Sequence, residues 1–461
     1  MIKEEKQKVK IGLEIHAYLT TKEKLFCRCK SERHTAKSGI LANTNICPIC
    51  SGQPGSKPML PNKEAVKKII SIALILGCKI NPKLIWQRKH YDWPDLPKGY
   101  QITMSGAYSI PLGENGKFEN IKIRELHLEE DPAQWNPETG CIDYNRSGLP
   151  LAEIVTEPDF SSSLEVENWL KQFLLSLDYI KAIDKNAGIK ADVNVSIEKN
   201  NFERVEIKNL SSIENIKAAI EYEIIRQEKE PVVRETRRYD EAKGITIRMR
   251  SKEQQEDYRF IPDPDLPLLT LNEKLIKEIK KSLPETPQQK LEKLIKKHKI
   301  DKKQADVLTS NLELVEFFEQ IAKNINPEFA LHWVTTELLR VLNYNKKMLD
   351  EVEIMPEHFV ELLEAVKSSK ITELKAKQIL NQFIPKSFSI KNQIKSQGKI
   401  TDKEEIEEIC RKVIKANQKS AEDYKSVKKE AFNFLMGEIM KLSERRADFS
   451  VARKVLEKLL K

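Results

Sequence analysis

The hydrophobic period changes once along these 461 residues, at a proline-marked break, LPETPQQKLEK (283–293). Before the break, short segments alternate apolar and polar residues: ITMSGAYSIPL, FENIKIREL, ADVNVSIEK, RVEIKNL and GITIRMR. Period two with β-branched residues predicts antiparallel strands joined by turns. Helices are expected between them at 63–76, 163–182 and 213–228, the first with Asn62 as N-cap and Gly77 as its stop. Beyond the break, Lys, Glu, Leu and Ile recur at helical spacing, as in AKQILNQF and EEIEEICRKVIKA. A second break is expected at 389–402. The chain is too long for one ordinary core. The expected fold is α+β. A mixed, mainly antiparallel sheet domain with a metal-binding insert spans 1–288, an all-α helical domain spans 289–396, and a small α-helical tail spans 397–461.

Lys and Arg total 79 against 70 Asp and Glu, a net charge of +9. That excess suits a polyanionic partner such as RNA, and near-balance suits a plain solvated surface equally well. The longest apolar run, IISIALILGC (69–78), is far short of the roughly 20 residues a bilayer requires. The first ten residues lack the apolar core of a secretion signal. A cytoplasmic chain with no membrane partner is expected, its seven cysteines serving as thiols or metal ligands.

Four of those cysteines lie in one window, Cys27 and Cys29 as C-x-C and Cys47 and Cys50 as C-x-x-C. Close thiol pairs let one turn supply two ligands, as a tetrahedral four-thiolate zinc site requires. With all four positions taken by protein, such a zinc is structural. Cys78, Cys141 and Cys410 stand alone and are expected as small buried apolar side chains.

Polar residues also sit on otherwise apolar strands. Glu14 and His16 share a face in IGLEIHAYL, as do His127 and Glu129 in IRELHLEEDP, with Glu130 pointing the other way. Asp192 and Asn194 repeat the spacing, and so do Glu206 and Lys208. Carboxylates gathered from several strands repel unless a cation neutralises them, and an oxygen-rich set suits Mg²⁺ or Mn²⁺. Taken singly, each is also an ordinary solvent-facing strand position. There is no G-x-x-x-x-G-K-[ST] loop and no G-x-G-x-x-G fingerprint. A nucleotide would therefore be held by metal and by cations, with Arg88, Lys89, Lys98, Arg124, Arg146 and Lys208 as candidates. WPDLPKGYQ reads as a shaped loop beside a pocket or as a rigid turn.

The stretches GLEIH, CPIC, RKHYDWPDLPKGYQI, HLEED, DYNRSGLPLAEIVTEPD, VEIKNLSS, ETRRYD and DYRFIPDPDL resemble the B-type subunits of the Asp/Glu-tRNA amidotransferase family, in that family's order. SSKITELKAKQIL and NQKSAEDYKSVKKEAFNFLMGEIMK extend the likeness into its helical and tail domains. The resemblance implies a catalytic cradle domain and ATP-dependent phosphorylation of the side-chain carboxylate of misacylated Glu-tRNA(Gln) or Asp-tRNA(Asn). It implies amidation with ammonia from an amidase (glutaminase) partner, a small third protein joining the amidase to this chain, and tRNA held by the tail. It implies Mg²⁺ at Glu14, His16, Glu130 and Glu206, with Glu129 and Asp192 as further acidic site residues, and Zn²⁺ at the four cysteines.

The chain departs from the family pattern in HLEEDPAQW, where members often continue with Ala-Gly-Lys, in Lys190-Ala191-Asp192-Val193, which lacks a usual thiol, and in SERRADF of the tail. A paralogous archaeal E-type protein carries a large domain before its tail, for which this chain has no room. A glutamine amidase is not expected, because the serine runs starting at 161, 211 and 368 lack surrounding glycines. The alternative from another class is a non-catalytic zinc-containing tRNA-binding protein, which needs no inward carboxylates.

Overall fold

The computed structural model describes residues 8–32, 39–184, 187–251, 258–391, 400, 402–425 and 429–460. The chain divides into two compact units, Met1–Thr286 and Pro287–Lys461. In the first, a sheet of twelve strands is present among the described residues. These are β1 (Val9–Tyr18), β2 (Lys79–Ile80), β3 (Gln87–Lys89), β4 (Gln101–Thr103), β5 (Gly113–Phe118) and β6 (Ile121–Glu130). They continue with β7 (Pro150–Thr156), β8 (Ile189–Ile197), β9 (Val205–Leu210), β10 (Glu235–Asp240), β11 (Ile245–Ser251) and β12 (Ile261–Pro262). The order is β11-β10-β9-β8-β1-β7-β6-β4-β3-β12, with β5 joined to β6 and β2 to β5. β9 and β10 run parallel and the other pairs are antiparallel.

Alternation gives the sheet two unlike faces. Ile11, Leu13, Ile15 and Ala17 of β1 are buried, and register sets Ile15 beside Ile154 and Ala191. These residues share one core with Leu126, Leu128, Val193 and Ile207 and with three helices, α1 (Lys63–Ile75), α2 (Ser163–Tyr179) and α3 (Ile213–Lys229). The helix starts are fixed by side-chain caps. Asn62 Oδ1 accepts from Glu64 N and Ala65 N, Ser162 Oγ from Glu165 N, and Ser212 Oγ from Asn215 N. On α2, Trp169 stacks on Phe173 with ring centroids 4.8 Å apart and meets Phe160 edge-on at 5.4 Å.

Two local expectations differ. The helix expected to reach 182 stops at Tyr179, because Lys181 takes φ +51° and Ala182 N donates back to Leu177 O at 3.2 Å, closing the last turn. Of the segment ITMSGAYSIPL only Ile102 and Thr103 are strand, at the end of β4. Gly106 turns the chain at φ +121°, and buried Gln87 holds the turn by accepting from Tyr108 N at 2.9 Å and donating to Ser105 O.

A short helix, α4 (Glu273–Ser282), ends the first unit, and Pro284 precedes the second. The second unit opens with α5 (Pro287–His298), whose proline suits a first helical turn. It continues with α6 (Lys302–Thr309), α7 (Leu312–Ile321), α8 (Pro327–His332), a π-turn at Trp333–Leu338, α9 (Leu339–Tyr344), α10 (Pro356–Lys367) and α11 (Glu373–Asn381). Then come α12 (Lys403–Ala416), α13 (Gln418–Lys425), α14 (Lys429–Leu442) and α15 (Phe449–Leu460), whose buried Ile406, Cys410, Leu435, Ile439 and Leu456 make a core of their own. The boundary expected at 396/397, and most of the break expected at 389–402, lie outside the described residues. Among the described residues no helix is long and apolar enough to cross a membrane.

Trp169→Ala should destabilise the first unit by about 3–5 kcal/mol, since a buried indole leaves a cavity, whereas Asn62→Ala should cost about 1 kcal/mol for a lost cap. Urea unfolding of both variants checks the ranking.

Candidate active site

The face of the sheet opposite the helices is charged. His16 of β1 lies directly opposite Glu153 of β7 on one side and Lys190 of β8 on the other. Glu153 in turn lies opposite His127 of β6. Glu14 pairs across to Asp192, Asn194 to Glu206, and Glu129 to Thr103. Directly opposed residues share a face, so acids and imidazoles from five strands form one polar surface. Within it, ligand atoms of Glu14, His16 and Glu153 all lie within 4.8 Å of one another.

The charges there are tightly interlocked. His16 Nε2 sits 3.4 Å from Glu129 Oε1. Burial works against its protonation, but the bond to Glu129 and the charges of Glu129, Glu153 and Glu14 hold the imidazole up to about 10. Glu129 feels burial too, yet His16, Lys89 and the Thr103 hydroxyl hold it below the usual carboxylate range. His127 meets acceptors at both ring nitrogens, Met104 O at 3.1 Å and Glu125 Oε2 at 3.1 Å, which suits an imidazolium. Glu153 is 5% exposed. Burial, then the charges of Glu129 and Glu14, push its carboxyl up to about 7, with His127 and His16 pulling the other way. Glu153 is thus the acid on this surface that its cationic neighbours do not fully offset. Two carboxylates and one imidazole, partly open to solvent at Glu14 and His16, suit one divalent cation once His16 gives up its extra proton to it, with positions left for other ligands.

The remaining sequence candidates fall in several places. Asp192 Oδ2 accepts from Lys208 Nζ at 3.0 Å, and Glu206 lies 3.5 Å from the same ammonium, so these three make a second charged group on the same face. Lys208 stays charged because Asp192 and Glu206 outweigh its burial. Lys89 stands over the Tyr258 ring at 4.6 Å and is held protonated against burial by Glu129, Tyr258, Glu153 and Glu14. Glu130 is placed elsewhere. It follows the parity of Leu126 and Leu128, pairs with Lys98, and accepts from Ile102 N at 3.0 Å. Neither Glu130 nor Glu206 joins the ligand group of Glu14 and His16, and Glu153 stands there instead. Arg88 is held by Asp263 at 2.9 Å and Asp265 at 2.7 Å. Arg124 is bound to Glu157 at 2.9 Å. Arg146 donates to Pro132 O and Ala133 O and pairs with Asp131 at 3.1 Å.

The four clustered cysteines converge, as the second ligand group among the described residues. Cys50 Sγ is 3.9 Å from the sulfurs of both Cys29 and Cys47, too long for a disulfide. Four sulfurs at about 2.3 Å from a tetrahedral ion stand roughly 3.8 Å apart, so the spacing fits zinc. Hydrogen bonding from Cys27 draws the Cys50 thiol down to about 4, with burial opposing and fully buried Lys24 assisting. The group is tied to the sheet loops: Ser147 Oγ donates to Cys50 O at 2.7 Å, and Leu25 N to Gly148 O at 2.8 Å. Gly52, at φ +69°, lets the knuckle pass so close to the next loop that a Cβ would stand 2.1 Å from Pro97 O. Of the three lone cysteines, Cys78 and Cys410 are buried, but Cys141 is exposed, because its hairpin ends at the surface.

Residues 9–277 match the family described as "GatB/GatE catalytic domain" and residues 316–460 match "GatB domain". The chain is 43% identical over 459 residues to the B-type subunit of the aspartyl/glutamyl-tRNA(Asn/Gln) amidotransferase of Methanocaldococcus jannaschii, covering 96% of this chain and 95% of that protein. The chain belongs to the GatB family of amidotransferase subunits. Proteins of the same description from Methanothermobacter thermautotrophicus and Methanococcus maripaludis are each 41% identical, over 95% and 98% of this chain and 97% and 98% of theirs.

Within this GatB-family sequence, Glu153 is the residue that site reasoning missed. Its signal was local: in LPLAEIV it is the lone charge on an apolar run. Its partners emerge only from the register of β1, β7 and β6.

About one zinc per chain should co-purify, and Cys50→Ser should remove it. Elemental analysis of protein prepared without chelator measures this.

Proposed function

We propose that this chain activates the side-chain carboxylate of glutamate on tRNA(Gln), or of aspartate on tRNA(Asn), and completes its amidation. The chain's membership in the GatB family supports the reaction class. The convergence of Glu14, His16 and Glu153 on one face supports the chemistry. A carboxylate oxygen of the aminoacyl group attacks the γ-phosphorus of ATP, and the bond to ADP breaks. The resulting acyl phosphate is then displaced by ammonia, which forms the amide, releases phosphate and gives up a proton. A carboxylate is a poor acyl donor, and phosphate makes it a good one.

Glu14, His16 and Glu153 would hold a Mg²⁺ ion, which neutralises phosphate charge and supplies Lewis acidity to the transfer. Glu129 orients His16, whose ring must release its extra proton to ligate the ion, while Lys89 offsets acid charge at the same surface. Lys208 pairs with Asp192, which lies opposite Glu14, and would meet phosphate oxygens there. Lys98 and Arg146 would act indirectly, by shaping the loops at Glu130 and Asp131. Glu130, called on as a magnesium ligand by resemblance, is more simply the anchor of Lys98. The four-thiolate zinc is structural and braces those loops. The chain is cytoplasmic in this reading. It works with an amidase partner that supplies ammonia from glutamine and with a small third protein that joins the two, and its helical tail (397–461) grips the tRNA.

Glu153→Gln and Glu14→Gln should each lower amidation of Glu-tRNA(Gln) or Asp-tRNA(Asn) by roughly 100-fold while leaving tRNA affinity unchanged. The assay is run on the complex assembled with the amidase and the small joining protein, with both misacylated tRNAs side by side. Wild-type protein that binds tRNA but shows no tRNA-dependent ATP hydrolysis in that complex would favour the non-catalytic zinc protein.

A further inference from the structure

Of the five tryptophans, three are buried, at 2–3% exposure, in the cores around Trp86, Trp169 and Trp333. The other two touch each other. Trp93, 56% exposed, meets half-buried Trp135 edge-to-face with ring centroids 5.3 Å apart and an interplanar angle of 87°. An isolated exposed apolar side chain needs no explanation. Two indoles brought together from separate loops, and left open, make a built surface.

The two loops are cross-linked beneath them. Ala133 N donates to Asp95 O at 2.8 Å, joining the two loops, and Arg146 binds Pro132 O and Ala133 O from below. Trp135 lies in a short hairpin, paired with Ile142. The rim is continuous with the polar face. Trp93 N donates to Tyr91 O at 3.2 Å, and burial followed by the charges of Asp95, Glu129 and Asp131 pushes the Tyr91 phenol up. Asp131 also accepts from the hydroxyl of Tyr18 at 2.7 Å, on the same strand as His16.

We propose that Trp93 and Trp135 form a stacking platform for the unpaired bases at the 3′ end of the bound tRNA. This rests on the amidotransferase reading. The amino acid is esterified to the terminal ribose, so when its carboxylate reaches the acidic surface, the last bases lie on the rim of that surface. An open aromatic face accepts bases of a passing single strand, because every base has a π-face. The adenine of a small nucleotide is more often enclosed in a cleft, which is why the RNA end is the occupant favoured here.

The test uses the full chain and two tRNA transcripts, one intact and one lacking the unpaired 3′-terminal nucleotides. Trp93→Ala and Trp135→Ala should each weaken binding of the intact transcript roughly tenfold and leave the truncated one unaffected. Trp93→Phe, which keeps an aromatic face and guards against a folding defect, should bind nearly as wild type. ATP affinity should not change. Equal losses on both transcripts, no loss on either, or a loss confined to ATP would overturn the platform while leaving wild-type amidation and the amidotransferase reading in place. A wild-type chain that binds neither transcript would sink both.

Discussion

A sheet can carry a charged face only if the charges on it balance, and this sheet carries Glu14, Glu129 and Glu153 beside two imidazoles, with Lys89 as an ammonium that feels all three acids. The opposite face is committed to the helix-covered core, so β1 cannot shift by one residue without burying Glu14 and His16 and exposing Ile15. Core packing thereby fixes which residues face which across β8, β1, β7 and β6. That register sets Glu153 between His16 and His127, where its carboxyl is pushed up by burial and by its acidic neighbours. A divalent cation bound among these acids would relieve that repulsion, with the apolar side of the sheet holding its ligands in place.

The cysteine group answers a different problem. The segments 93–100 and 143–149 run beyond the strand ends and carry Lys98 and Arg146, which pair with Glu130 and Asp131. The four thiols, with Lys24 beneath, tie both segments to the N-terminal strand through Ser147, Gly148 and the close pass of Gly52 at Pro97. Lys98–Glu130 and Arg146–Asp131 are the ion pairs that this bracing presents to the end of β6. Cross-linking by one metal there would supply what a small hydrophobic core cannot.

Much of this is visible in one dimension, for identifiable reasons. Period-two alternation places Glu14 with His16, and His127 with Glu129, because it depends on the strand alone. The C-x-C and C-x-x-C pairs announce themselves for the same reason. Which strands lie side by side is not local, so Glu153 could be seen as an odd acid in an apolar run but not as a neighbour of His16. Glu130 shows the converse: its parity sets it apart from Glu129, and its pairing with Lys98 follows from a loop path that alternation does not encode. Lys181 ends a helix in a left-handed turn that carries no glycine to mark it, and Cys141 lies exposed because its hairpin reaches the surface.

The central claim is that one divalent ion sits among Glu14, His16 and Glu153. Anomalous diffraction from crystals grown with Mn²⁺ and a non-hydrolysable ATP analogue tests it most directly. The account predicts a manganese peak bounded by those three side chains and in contact with the analogue's phosphates. A peak centred on Glu130 or Glu206 with Glu153 unliganded, or phosphates bound away from this face, would contradict it.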